Sequence, residues 1–312
     1  MRLAVLSGLL IGAGCGSVHP GTDASQSGDA ANDAPTALGC DPTAKFGSPM
    51  PVDGLAATGV DELSARLSPD ELTVYFTRTV VGGDFNLYAA RRAVITDKFG
   101  TLAPITLAES PSNDMHPTVS SDGLALWFES IRLANTGARI YISTRGSVLG
   151  EFGGADLAGV VNETDPTQND GQPFVTADGK ELWLSSSRGS TSGDSNLWRS
   201  VRVGGAFTDP VPVPELSSAS TDWLPMLSAD RLTVYFASDR PGTGTKGGFD
   251  IWTAHRTAVD DGFQAPVVAE ELNTSADDYP SWLSADNCRM YLTSRTSGTD
   301  DIYLATRPPR SP

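Results

Sequence analysis

Five acidic residues recur at matching places along the chain: Glu62, Asp114, Asp170, Asp222 and Asp278 each stand five residues before the Leu or Val that precedes a Ser/Thr-x-Asp triplet. Carboxylates brought together from equivalent positions of a ring could hold a hard cation such as calcium through oxygen ligands, or accept hydrogen bonds from sugar hydroxyls. Each could instead cap backbone N–H groups in its own turn. Recurrence in every copy favours the second role, because folding chemistry keeps a symmetry that function usually breaks. The neighbours do break it. One position later come Leu63, Met115, Gly171, Trp223 and Tyr279, and the next holds Ser64, His116, Gln172, Leu224 and Pro280. His116, Gln172, Trp223 and Tyr279, beside Asp114, Asp170, Asp222 and Asp278, are therefore the candidate ligand-binding residues. Their aromatic faces and polar groups suit a saccharide or a peptide. Taken singly, each is also an ordinary packed loop residue.

Signals for catalysis are few. The three histidines, His19, His116 and His255, cannot form a histidine-rich metal centre, and no Gly-x-Ser-x-Gly elbow, His-Glu-x-x-His helix or phosphate loop occurs. No catalytic residue and no metal ligand is assigned, and no cofactor is expected beyond the calcium that the acidic set could hold.

The elements that must position these residues follow from a repeat. The triplets at Ser68–Asp70, Ser120–Asp122, Thr176–Asp178, Ser228–Asp230 and Ser284–Asp286 mark a fivefold period of 52 to 56 residues. Each copy opens on a Phe (Phe46, Phe99, Phe152, Phe207, Phe263) and closes on an Arg (Arg92, Arg145, Arg202, Arg256, Arg307). After each triplet comes an alternating aliphatic and aromatic run such as Leu72-Thr-Val-Tyr-Phe76, then a turn rich in Gly, Ser, Thr and Asp, then a second run such as Asp250-Ile-Trp252. Period-two alternation means strands, and four short strands per repeat make a propeller blade. The triplet aspartates Asp70, Asp122, Asp178, Asp230 and Asp286 are expected to bond their own turns. Tyr75, Trp127, Trp183, Tyr235 and Tyr291 form one column, expected to pack between blades. Arg78, Arg188, Arg240 and Arg295 are expected to pair with turn carboxylates.

Two runs, Pro225-Met-Leu-Ser-Ala-Asp230 with Val234-Tyr-Phe-Ala-Ser-Asp-Arg240, and Leu283-Ser-Ala-Asp286 with Tyr291-Leu-Thr-Ser-Arg295 and Asp301-Ile-Tyr303, resemble the TolB-like, WD-type propeller repeat. The resemblance covers about residues 46 to 307. It implies an all-β, five-bladed β-propeller of four-stranded antiparallel blades, but no particular function, because such repeats serve many. Five-bladed propellers include glycosidases that work with two or three channel carboxylates, which here would be Asp114, Asp170 and Asp222; a glycosidase, however, needs unlike carboxylates, and these look alike. The phase of the repeat predicts that a strand near Met50 to Leu55 completes the last blade and closes the ring. Cys40 precedes that strand and Cys288 lies in a turn of the last blade, so a Cys40–Cys288 disulfide is expected at the closure.

Residues 1–15 run from one Arg through an apolar stretch to Gly12-Ala13-Gly14-Cys15, as an export signal does. The end resembles a bacterial lipobox, which implies lipidation at Cys15, although Gly12 stands where the family has a large aliphatic. Residues 16–40 are small, polar and acidic, the composition of a flexible tether, and residues 41–312 are the propeller. A net charge of -16 and a pI near 4.4 argue against nucleic acid and anionic membrane as direct ligands. The expectation is an exported, lipid-anchored or secreted binding module of the cell envelope, in periplasm or outer membrane, non-catalytic, with a protein, glycan or cell-wall partner at the channel mouth and membrane contact only through the anchor. The alternatives are a glycosidase-like enzyme and a purely structural envelope protein.

Overall fold

A computed structural model describes residues 39–79, 83–106, 108 and 110–310. The expected signal, its Cys15 and nearly all of the tether lie outside these. Five antiparallel sheets of four principal strands each stand around a central channel as the blades of a propeller. The innermost strands are Glu62–Leu67, Asp114–Val119, Asp170–Val175, Asp222–Leu227 and Asp278–Leu283, and these pack against one another from blade to blade. The second strands, such as Leu126 to Phe128 within Ala125–Ser130, are buried on both sides, which is why their hydrophobic runs are nearly continuous. Among the described residues no helix is long and apolar enough to cross a membrane.

The ring closes as the repeat phase requires. Met50 and Pro51 pair with Leu304 and Tyr303, so an N-terminal strand completes the fifth blade. A disulfide joins Cys40 to Cys288, and Arg307 lies 4.2 Å from the ring centroid of Phe46. That last contact is one of a set: Arg92 covers Phe99, Arg145 Phe152, Arg202 Phe207 and Arg256 Phe263. The closing Arg and opening Phe of the repeat are thus cation–π partners. Three members of the aromatic column meet these Phe rings edge-on, Tyr75 on Phe152, Trp127 on Phe207 and Trp183 on Phe263. At every triplet the hydroxyl donates to the Asp two residues on, which in turn accepts the next turn amide.

Each innermost strand carries a β-bulge just after its acidic residue. In four blades the bulge residue adopts a left-handed conformation without being glycine: Ser64 (φ 56°), His116 (53°), Gln172 (49°) and Leu224 (54°). Such backbone costs of order 1 kcal/mol or more and persists only where the surroundings impose it. Here they do, because each bulge N–H donates to the second strand of the preceding blade. Ser64 bonds Thr293 Oγ1 (3.0 Å), His116 bonds Thr77 Oγ1 (2.9 Å), Gln172 bonds Glu129 Oε2 (3.0 Å) and Leu224 bonds Ser185 Oγ (3.2 Å). The fifth blade has Pro280, with no N–H to give, and the matching acceptor position on the fourth blade is Ala237. Donor and acceptor are missing together.

Candidate functional site

The acidic set does not line a shared site. All five carboxylates are fully buried, and each is engaged within its own blade. Glu62 accepts from the Ala57 amide and Arg78, Asp114 from the Ser110 amide and Arg132, and Asp170 from the Glu163 amide, Ser186 and Arg188. Asp222 accepts from the Ser218 amide and Arg240, and Asp278 from the amide and hydroxyl of Thr274. They anchor the turn that leads into the innermost strand. Among the described residues no three His, Cys, Asp or Glu side chains come together as a metal would need. The expectation that Asp114, Asp170, Asp222 and Asp278 gather at the channel mouth, for calcium or for a sugar, is therefore corrected: their β-strand direction turns them into the blade, not the channel. Blade five departs from the pattern. Arg295 pairs with Asp300 (2.9 Å), leaving Asp278 without an arginine, and burial raises the pKa of both carboxyl groups.

The variable neighbours do converge. Where the innermost strands begin, a cavity of about 380 Å³ is lined by His116, Gln172, Trp223 and Tyr279, together with Glu129 and Asp300. We call this the first mouth. Trp223 stacks on Phe249 with ring centroids 4.8 Å apart and planes 6° from parallel, and Phe249 meets Tyr279 at 5.6 Å. This aromatic row occupies the side of the mouth formed by blades four and five. The opposite side is polar. His116 Nδ1 lies 2.7 Å from Ser64 Oγ, and its Nε2 lies 3.9 Å from Glu129.

Glu129 was not among the residues singled out by sequence. It stands in the position occupied by Thr77, Ser185, Ala237 and Thr293 in the other blades, the only long side chain there. It fits because the residue facing it is Gly171, where a Cβ would run into the Glu129 carboxylate. Burial pushes Glu129 up to about 7. His116 moves the other way, down to about 3, through burial and the nearby Arg66 guanidinium. Ser64, His116 and Glu129 are the residue types of a hydrolytic triad, but an imidazole held neutral by burial and a nearby cation is a poor base, and 3.9 Å is beyond hydrogen-bond reach. The arrangement can accept and donate hydrogen bonds from a dry wall opposite an aromatic one.

No protein-family model and no curated protein matches the sequence. Solved structures do share its shape. A thermostable family-43 glycoside hydrolase aligns with TM-score 0.55 at 12% identity, over 84% of this chain and 100% of that one. The catalytic domain of a Coprinopsis cinerea GH62 α-L-arabinofuranosidase aligns with TM-score 0.54 at 10% identity, over 85% and 98%. TolB from Acinetobacter baumannii aligns with TM-score 0.46 at 16% identity, over 80% of this chain and 56% of that one, so this chain spans little more than half of it. At such identities the likeness concerns the fold alone: a five-bladed β-propeller.

Proposed function

We propose that this chain is an exported cell-envelope propeller that binds a glycan at the first mouth of its channel without cleaving it. One observation carries the reading: the positions at which the repeat varies line one cavity, while the repeated carboxylates face their own blades. A cavity of about 380 Å³ suits a small-molecule-sized group, such as a sugar residue, better than it suits a broad protein surface. Trp223 and Tyr279 supply aromatic surface for a sugar face, with Gln172 and Glu129 across from them. The export signal expected in residues 1–15 and the acylation expected at Cys15 would hold the module at the envelope. A glycan-array screen of the full chain tests this. We expect retention of one glycan class, weakened about tenfold or more by Trp223→Ala; retention unaffected by that substitution would sink the site.

A second reading, glycoside hydrolysis, has one observation of its own. Glu129 and Asp300 are two carboxyl groups in the same cavity, both with raised pKa values, and a pair of carboxyl groups in one pocket is what such chemistry uses. Release of reducing ends from any bound glycan, abolished by Glu129→Gln, would establish it in place of simple binding.

A further inference from the structure

Four positions after the acidic set, the five innermost strands contribute Arg66, Thr118, Phe174, Met226 and Trp282. This repeated position also breaks the symmetry, with one cation, one hydroxyl and three apolar side chains. Arg66 is only 3% exposed. Of the three arginines buried among the described residues, Arg139 and Arg256 donate to backbone carbonyls. The Arg66 guanidinium has neither a hydrogen-bond acceptor nor an ion-pair partner among the described residues, and its Nη1 is enclosed. It lies 5.2 Å from the centroid of the Phe174 ring. A cation–π contact contributes far less than withdrawing a charged group from water costs. The contact does not repay the burial. Nor is deprotonation the escape, since burial brings the group down only to about 9. The chain has 38 acidic residues against 22 Lys and Arg, so a carboxylate partner is missing at this place and not from the sequence at large.

Arg66 lines a second cavity of about 250 Å³ at the other end of the channel, ringed by the middle residues of the Ser/Thr-x-Asp turns. Thr118 and Ser121 bring hydroxyls to it, Phe174 and Trp282 bring aromatic surface, and no carboxylate lines it. We propose that this second mouth is an anion site in which Arg66 takes the carboxylate of an acidic sugar of the uronate type. A guanidinium matches a carboxylate with two parallel hydrogen bonds, the hydroxyls suit the ring hydroxyls of a sugar, and the aromatic surface suits its apolar face. The ligand supplies the acceptor that the chain withholds.

The test is calorimetric titration of the full chain with galacturonate and glucuronate, alongside galactose, glucose, acetate and sulfate, with thermal melting of each variant in parallel. We expect a uronate to bind and to raise the melting temperature, with the matching neutral sugar and the simple anions about tenfold weaker or worse. Arg66→Met should abolish uronate binding while leaving the ligand-free protein at least as heat-stable, because an unpaired buried charge is removed. Arg66→Lys should weaken binding and keep the fold, which preserves the test if the methionine variant is insoluble. Trp223→Ala should leave uronate binding intact, separating this site from the first mouth. The proposal fails if no uronate binds, if acetate or sulfate binds as well as the uronate, or if Arg66→Met binds it unchanged.

Discussion

Glu129 is a carboxyl group placed where its charge is unwelcome, and the sign of its effect on stability follows. Its folded pKa, about 7, lies above the ordinary 4.5, so between those values the unfolded chain gives up this proton while the folded one keeps it. Stability from this group is complete below about pH 4.5, declines as pH rises through the window to about 7, and stays diminished above. The full difference is on the order of 3 kcal/mol. Glu129→Gln retains an acceptor for the Gln172 amide and removes the titration. Urea unfolding of both proteins from pH 4 to pH 8 should therefore show the variant gaining on the parent with rising pH, and a constant difference would remove the assignment. His116 works in the opposite direction, since a group lowered from 6.5 to about 3 costs stability as pH falls, but it is present in both proteins. At this scale the sequence was partly informative. His116, Gln172, Trp223 and Tyr279 stood out because they break a repeated position. Glu129 needed the same comparison on the adjoining strand, with Gly171 as its counterpart. Arg66 was hidden because what distinguishes it is a missing partner, and a missing partner is a property of space.

Among the elements, the innermost strand and its bulge set the geometry of the first mouth. The bulge turns one amide per blade sideways onto the neighbouring blade, so the same hydrogen bond that fixes the bulge also fixes the distance between blades. Ser64 and Thr293 are both buried, and Thr293→Val would leave the Ser64 amide without its acceptor at nearly constant shape. That should cost about 1–3 kcal/mol in urea unfolding. Ala237→Ser is the contrasting variant: Pro280 has no N–H to receive, so the added hydroxyl should bring no gain. Equal stabilisation or equal loss in the two variants would show that these contacts are not what couples the blades. Strand placement was readable from the alternation of Leu, Val, Tyr, Phe and Trp after each triplet. The bulges were not, because the side chains that hold them lie on the preceding blade, some 40 residues earlier in sequence or across the ring closure, and their types (Thr, Glu, Ser) are ordinary for a strand. The same separation explains the acidic set: its even spacing was plain, but whether a carboxylate faces the channel or its own turn depends on strand orientation around the bulge.

The whole molecule is a ring whose two ends must be held together, and three devices do so at different strengths. Strand pairing of Met50 and Pro51 with Leu304 and Tyr303 is short, and both residues of the closing strand are exposed. Arg307 repeats over Phe46 the contact found between the third and outermost strands of every other blade, and its guanidinium also donates to the carbonyls of Pro42 and Ala44. The disulfide is the one device without a counterpart elsewhere in the ring. It closes a loop of 248 residues, long enough for chain-entropy arguments to give up to about 5 kcal/mol. The other four blades are completed by a strand that follows directly in sequence, without a disulfide, so the reduced protein should keep its blades and lose mainly its closure. With Cys288→Ser, or with the bond reduced, we expect a lower urea midpoint and faster amide exchange confined to residues 40–51 and 301–309, while the second and third blades exchange as before. An unchanged midpoint would mean that the fifth junction is as self-sufficient as the rest. Uniformly faster exchange would mean that the ring is one cooperative unit, in which opening any junction opens all, and that the closing strand is part of its core rather than a latch upon it.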